Sequence, residues 1–201
     1  MMKAAILLFE GFETLDVFGP VEILGRIKDQ YEVTFYSEEG EMIHNHHGIT
    51  MATENLNNIA EGTDIFLIPG GPGSRSAVYN VSLIDRIRKI SDLSRFVLTV
   101  CTGSTLLAQT GLLNGRKATS NKKAFEWAST FGSNVQWIRQ ARWTVDGKYY
   151  TSSGVSAGMD MTFGFLSDLH GTDFARAVAY QMEYHWQEDK NLDNFYSQVK
   201  S

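Results

Sequence analysis

Short, uninterrupted apolar runs alternate with longer amphipathic stretches along the chain. Residues 4–9 (AAILLF), 32–36 (EVTFY), 64–69 (DIFLIP) and 96–101 (FVLTVC) are β-prone and largely free of the polar alternation that a half-exposed strand shows. They read as strands buried on both faces, which implies a parallel sheet covered by helices. Residues 14–27, 82–93, 104–113, 122–131, 156–169 and 173–186 have the spacing of helices. In the segment that starts at its capping residue Ser82, for example, Leu83, Ile84, Ile87 and Ile90 share one stripe. Strand and helix in alternation predict a doubly wound α/β fold. One segment departs from this pattern: 142–145 and 149–153 flank Asp146-Gly147, a two-residue hairpin signal. Internal repeats and low-complexity stretches are absent from the sequence. Residues 1–188 read as one domain, and 189–201 as a polar tail without a core-facing pattern, a loose end or a dimer arm.

Composition narrows the function classes. A chain of 201 residues with 43% hydrophobic and 20% charged positions is ordinary for a globular protein. At this length about 70% of the unfolded surface is buried on folding, so neither disulfides nor a structural metal is required. The net charge of −5 comes with no basic face, because the densest basic run, Arg86 to Lys89, is interleaved with apolar residues. Nucleic acid and anionic membranes are therefore not expected partners. The N-terminal apolar run is too short for a signal peptide or a membrane span. A single cysteine excludes an internal disulfide and any zinc site built from several cysteines, as a reducing cytoplasm would permit.

That cysteine is also the first candidate for chemistry. Cys101 closes a predicted strand and is followed by Thr102-Gly103-Ser104 and a helical run. Ligands of parallel α/β sheets bind at the carboxyl ends of the strands. A cysteine there sits at a helix N-terminus, which is expected to lower its pKa and favour the nucleophilic thiolate. The bland reading of a lone cysteine is an inert core residue. Two more strand ends converge on the same edge. Residues 64–69 run into Gly70-Gly71-Pro72-Gly73, whose exposed N–H groups suit an oxyanion hole or form a plain tight turn. Residues 4–9 run into Glu10, Glu13 and Asp16, among which composition does not choose a proton carrier. Of the five histidines, His44, His46 and His47 lie in the motif HNHHG, which reads as a mobile polar loop rather than a surface metal site. His170 and His185 read as helix-end or surface residues, and no histidine stands where a base for Cys101 would be expected.

Taken together, LLFEGFETLDVFGPVEIL, DIFLIPGGPG, VCTGSTLLAQTGLLNGRKAT and TSSGVSAGMDM resemble, in this order, the blocks of the ThiJ/PfpI family. The resemblance covers residues 4 to about 184 and is strongest toward isonitrile hydratase-like members. It implies a flavodoxin-like three-layer sandwich related to class I glutamine amidotransferases, a mainly parallel sheet with helices on both faces and a small hairpin. It makes Cys101 the nucleophile and Asp16 the acid beside it, and places the N–H groups of Gly71 and Thr102 at an anion-binding hole. It further implies a homodimer acting on a small molecule in the cytoplasm, with no cofactor and no metal. Where such members read A-T-T-H, this chain has Ala118-Thr119-Ser120-Asn121. Asparagine is no general base, so a Cys-His hydrolase mechanism is disfavoured, whereas a Cys101–Asp16 mechanism needs no histidine. On that mechanism a histidine at position 121 is expected to change little. Three readings follow: an isonitrile hydratase-like enzyme; a protease-like, amidase-like or glycation-repair hydrolase; and a non-catalytic redox or metabolite sensor using the same cysteine. Regulators that carry such a domain append a DNA-binding module, which this sequence does not show.

Overall fold

The computed structural model describes residues 1–27, 29–59 and 63–197. The four predicted buried strands form the centre of the molecule: β1 (Met2–Leu7), β2 (Tyr31–Ser37), β6 (Ile65–Ile68) and β7 (Phe96–Thr99). Between β2 and β6 lie three short strands, β3 (Met42–His44), β4 (Thr50–Ala52) and β5 (Glu54–Asn55). Two further short strands, β8 (Lys117–Ala118) and β9 (Gln136–Trp137), pair in parallel. The predicted hairpin is β10 (Trp143–Asp146) against β11 (Tyr149–Ser152). The main sheet has seven strands in the order β10-β11-β7-β6-β1-β2-β5, and only the β10–β11 pairing is antiparallel. In one row across it Phe35, Ile6, Leu67, Leu98 and Tyr150 are register partners. Ile6, Leu67 and Leu98 are fully buried, as expected for strands covered on both faces.

The helices are α1 (Thr14–Gly25), α2 (Ser74–Ala77), α3 (Val81–Leu93), α4 (Gly103–Gln109), α5 (Phe125–Ala128), α6 (Ala157–His170) and α7 (Thr172–Gln181). Helix α6 packs against α1 and α7, and α4 against α2 and α3, completing a three-layer flavodoxin-like α/β sandwich. The helix predicted over 122–131 shrinks to the single turn of α5. Its first residues are drawn into a turn, because Asn121 Oδ1 accepts the N–H groups of Lys123 and Ala124 at 2.9 and 3.1 Å. The ammonium of Lys122, buried beside them, donates to Thr119 Oγ1 and to the carbonyls of Ser120 and Ala141. The helix predicted from Ser82 is capped instead by Asn80, whose side chain accepts the Leu83 N–H at 3.2 Å. In the hairpin Asp146 pairs with Tyr149, so the turn residues are Gly147-Lys148, one position later than the sequence signal. Gly147, at φ +61°, takes the first turn position, which requires that conformation.

The chain after Glu188 folds back onto the sheet edge as far as it is described. Asp193 is fully buried and lies 3.5 Å from Arg142 Nη1. Arg142 also binds Asp160 at 2.7 Å, and its N–H donates to the Lys190 carbonyl at 2.8 Å. Residues 198–201 of the predicted tail lie outside the described residues. No helix among the described residues is long and apolar enough to cross a membrane.

Candidate active site

Strands β1, β6, β7 and β11 are mutually parallel, so their carboxyl ends open onto one edge of the sheet. The chain leaving each end supplies part of the site: the start of α1 with Asp16, the turn Gly70–Gly73, Cys101-Thr102, and Ser153-Gly154-Val155. The four predicted site residues, Asp16, Gly71, Cys101 and Thr102, thus belong to one cluster.

Cys101 has φ +58°, in the left-handed region that residues with a Cβ seldom occupy. Its backbone is held on both sides. The N–H donates to the Ser153 carbonyl at 3.1 Å, and its own carbonyl accepts the hydroxyls of Ser104 and Ser120, each at 3.0 Å. This is the geometry of a nucleophile elbow, which turns the side chain out of the strand. Val155, a β-branched residue, also has a positive φ, +48°. Its N–H approaches the Asp16 carboxyl.

Asp16 is fully buried in the first turn of α1. Oδ2 accepts the Gly70 N–H at 2.9 Å, while Oδ1 has no well-formed hydrogen bond. Burial pushes its pKa up to about 7, the charge of Glu13 adds to the rise, and hydrogen bonds from Gly70, Cys101 and Val155 oppose it. The Cys101 thiol is likewise raised, first by burial and then by the charge of Asp16. Hydrogen bonds from Thr102 and Asn121 pull the other way without reversing the rise. The lowered pKa expected from a helix N-terminus is therefore not found. A side chain that is 6% exposed loses more by desolvation than the two-turn helix α4 returns. Two acids in contact, both raised, titrate as a unit and hold a proton near neutrality.

The Gly70–Gly73 turn approaches closely because nothing stands in its way. A Cβ on Gly70 would lie 2.5 Å from Thr102 N and 3.0 Å from Asp16 Oδ2. The Gly71 N–H donates to Thr102 Oγ1 at 3.1 Å, and Ser74 Oγ lies 2.9 Å from the same oxygen. In the resting chain this N–H is thus engaged, whereas the Thr102 N–H is directed at the Cys101 sulfur. Ser74 and Val155 were not legible as site residues in the sequence, and Asn121 was legible only as a missing base. Only the glycine before Val155 hinted at a turn there. Val155, whose N–H approaches the Asp16 carboxyl, is 36% exposed beside the nearly closed cysteine. A cleft of about 310 Å³ on the far flank of the turn is lined by Glu10, Glu38 and Glu41 but includes neither Asp16 nor Cys101.

The DJ-1/PfpI family profile matches residues 2–168. The chain belongs to the DJ-1/PfpI family. It is 28% identical over 183 residues to isonitrile hydratase of Pseudomonas putida, covering 91% of this chain and 78% of that protein. It is 29% identical over 154 residues to the deglycase TK1284 of Thermococcus kodakarensis, covering 75% and 89%. Among solved structures it resembles a ThiJ/PfpI family protein from Pseudomonas syringae, with a TM-score of 0.83, 23% identity and coverage of 91% and 75%. Drosophila melanogaster DJ-1beta follows the same fold, with a TM-score of 0.79, 20% identity and coverage of 92% and 99%.

Proposed function

We propose that the protein is a cysteine-dependent enzyme that adds water to an isonitrile, giving an N-substituted formamide. The observation that carries this reading is the buried Cys101–Asp16 pair, which holds a proton near pH 7. Adding a thiol across the terminal carbon of R–N≡C requires one proton on that carbon and one thiolate attacking it. The singly protonated pair supplies both: the thiol proton passes to Asp16, which gives it to the carbon as the Cys101 sulfur forms the C–S bond, leaving R–N=CH–S–Cys and an aspartate. That aspartate then takes a proton from an incoming water whose oxygen adds to the same carbon. Asp16 passes that proton to the nitrogen, the C–S bond breaks as the added hydroxyl returns its proton to the pair, and R–NH–CHO departs. Two easier steps replace one hard addition.

The surroundings suit such a substrate. An isonitrile ends in a thin linear group suited to a nearly closed cysteine, and Val155 beside the pair offers apolar contact for its R group. The N–H of Thr102 steadies charge at the sulfur, and that of Gly71 becomes available when Thr102 Oγ1 turns away. The protein needs no cofactor in this scheme, and we take it to act in the cytoplasm as a homodimer. Sedimentation checks the assembly.

A hydrolase of the protease-like, amidase-like or glycation-repair kind is the second reading, favoured by the likeness to the deglycase. Against it, Asn121 offers no base: its Oδ1 is already taken by Lys123 and Ala124. The deciding experiment supplies the purified protein with cyclohexyl isocyanide and follows N-cyclohexylformamide by chromatography. Turnover that disappears in Cys101→Ala and Asp16→Asn supports the hydratase. Cleavage of amides or of glycated thiols, with no formamide formed, overturns it in favour of the second reading.

A further inference from the structure

The loop between β3 and β4 takes no part in the chemistry above, yet it is firmly built. Asn45, 8% exposed, accepts the N–H groups of His47 and Ile49 on Oδ1, each at 3.0 Å. Its Nδ2 donates to Thr14 Oγ1 at 2.8 Å, and that same hydroxyl meets His47 Nδ1 at 2.6 Å. The loop is thereby tied to the first residue of α1. The expectation of a mobile segment fails because a buried asparagine organises the turn from within. Held there, the rings of His46 and His47 lie 3.9 Å apart by centroid, and one ligand atom from each falls within 4.8 Å of the other and of a Glu13 carboxylate oxygen. Glu13 immediately precedes α1 and is remote from the histidines in sequence.

We propose that Glu13, His46 and His47 form a binding site for one divalent transition-metal ion of the zinc or copper class. Two imidazoles and one carboxylate are the donor set such ions prefer, whereas calcium and magnesium require oxygen cages. Zinc holds these donors at about 2.0–2.2 Å, which sets neighbouring donors about 3.3 Å apart in a tetrahedron. Closing from the present spacing takes rotation of side chains only, since both histidines are exposed and the backbone beneath them is already braced. His47 Nδ1 lies 3.9 Å from Glu13 Oε1 and 2.6 Å from the Thr14 hydroxyl, a bond that the ion would replace. Glu10, paired with His44 at 3.3 Å, adds a second negative charge nearby. Three protein ligands leave a position open for water. The ion would fasten the β3–β4 loop to the start of the helix that carries Asp16.

The test is a titration of the full-length, chelator-stripped protein with zinc sulfate, in competition with a chromophoric chelator at neutral pH. One equivalent should be bound, with thermal stability raised. His46→Gln and His47→Gln should each weaken binding about tenfold or more, and Cys101→Ser should leave it unchanged. Absence of saturable uptake overturns the proposal, as does uptake indifferent to both histidine variants or uptake lost in Cys101→Ser. Circular dichroism of each variant separates lost binding from lost fold.

Discussion

The carboxamide Nδ2 of Asn121 fills the space that a side chain at Gly154 would need, only 2.2 Å from where its Cβ would stand. Its Oδ1 is anchored by Lys123 and Ala124, so Nδ2 is left to face Gly154 and the Cys101 thiol behind it. Gly154→Ala should push this donor away from the sulfur. A hydrogen bond to a charged group contributes about 1.5–3 kcal/mol, so formamide production should fall by about tenfold or more. Stability should drop by only about 1–3 kcal/mol, since one side chain can move to make room. Steady-state kinetics beside thermal melts check both halves.

Gly103→Ala should behave differently. Its Cβ would stand 2.3 Å from the Ile68 carbonyl oxygen and 2.7 Å from that of Pro69. Both obstacles are backbone in or next to a central strand, so no rotamer change relieves them. A loss of about 3 kcal/mol or more in urea denaturation is expected, with β6 and α4 forced apart.

Asp16 should make the fold less stable as pH rises. The folded chain holds the carboxyl proton up to about pH 7, against an ordinary value of 3.8. Between these values the folded state binds a proton that the unfolded chain has released. Unfolding free energy therefore falls across that window and levels off above it. Asp16→Asn removes the buried charge while still accepting the Gly70 N–H. The variant should match wild type near pH 4 and exceed it at pH 8 by up to about 4 kcal/mol. Guanidinium midpoints at the two pH values test this, and an equal gain at both would contradict it.

Much of the scaffold could be read from the chain because β1, β6 and β7 are buried on both faces and carry apolar residues almost without interruption. Strands β3, β4 and β5 are only two or three residues long, too short for any periodicity to announce them. Cys101 was visible because it ends a strand, but its titration was not. The helix behind it is a sequence feature, whereas the burial that outweighs the helix depends on Asp16, Asn121 and Ser153 closing from three other segments. Asn121 was legible as a missing base and not as a donor, since its direction is set by a turn that a helical reading of 122–131 conceals.

Iodoacetamide should report the coupling directly. Cys101 should alkylate with a pH midpoint above that of a free thiol, about 8.5, because burial and Asp16 both oppose the thiolate. Asp16→Asn removes the second of these and should shift the midpoint downward. An unchanged midpoint would mean that the carboxyl and the sulfur do not sense each other.

Arg142 joins Asp160 and Asp193 in a nearly dry cluster. Arg142→Met strands two carboxylates and should cost about 3–5 kcal/mol. Asp193→Asn should cost less and should expose the segment after Glu188 to limited proteolysis, which mass spectrometry would locate.

That same segment covers a sheet edge against strand-to-strand aggregation. A seven-stranded sheet has two open margins, and one of them, β5, is only two residues long and offers little template for another chain. The other margin is β10, a longer strand, where the Lys190 carbonyl takes up the N–H groups of Arg142 and Trp143. Removing the chain beyond Glu188 would leave these donors bare beside a buried tryptophan. Loss of the polar C-terminal stretch should therefore show itself first as filament or aggregate growth in concentrated solution, before any change at the cysteine.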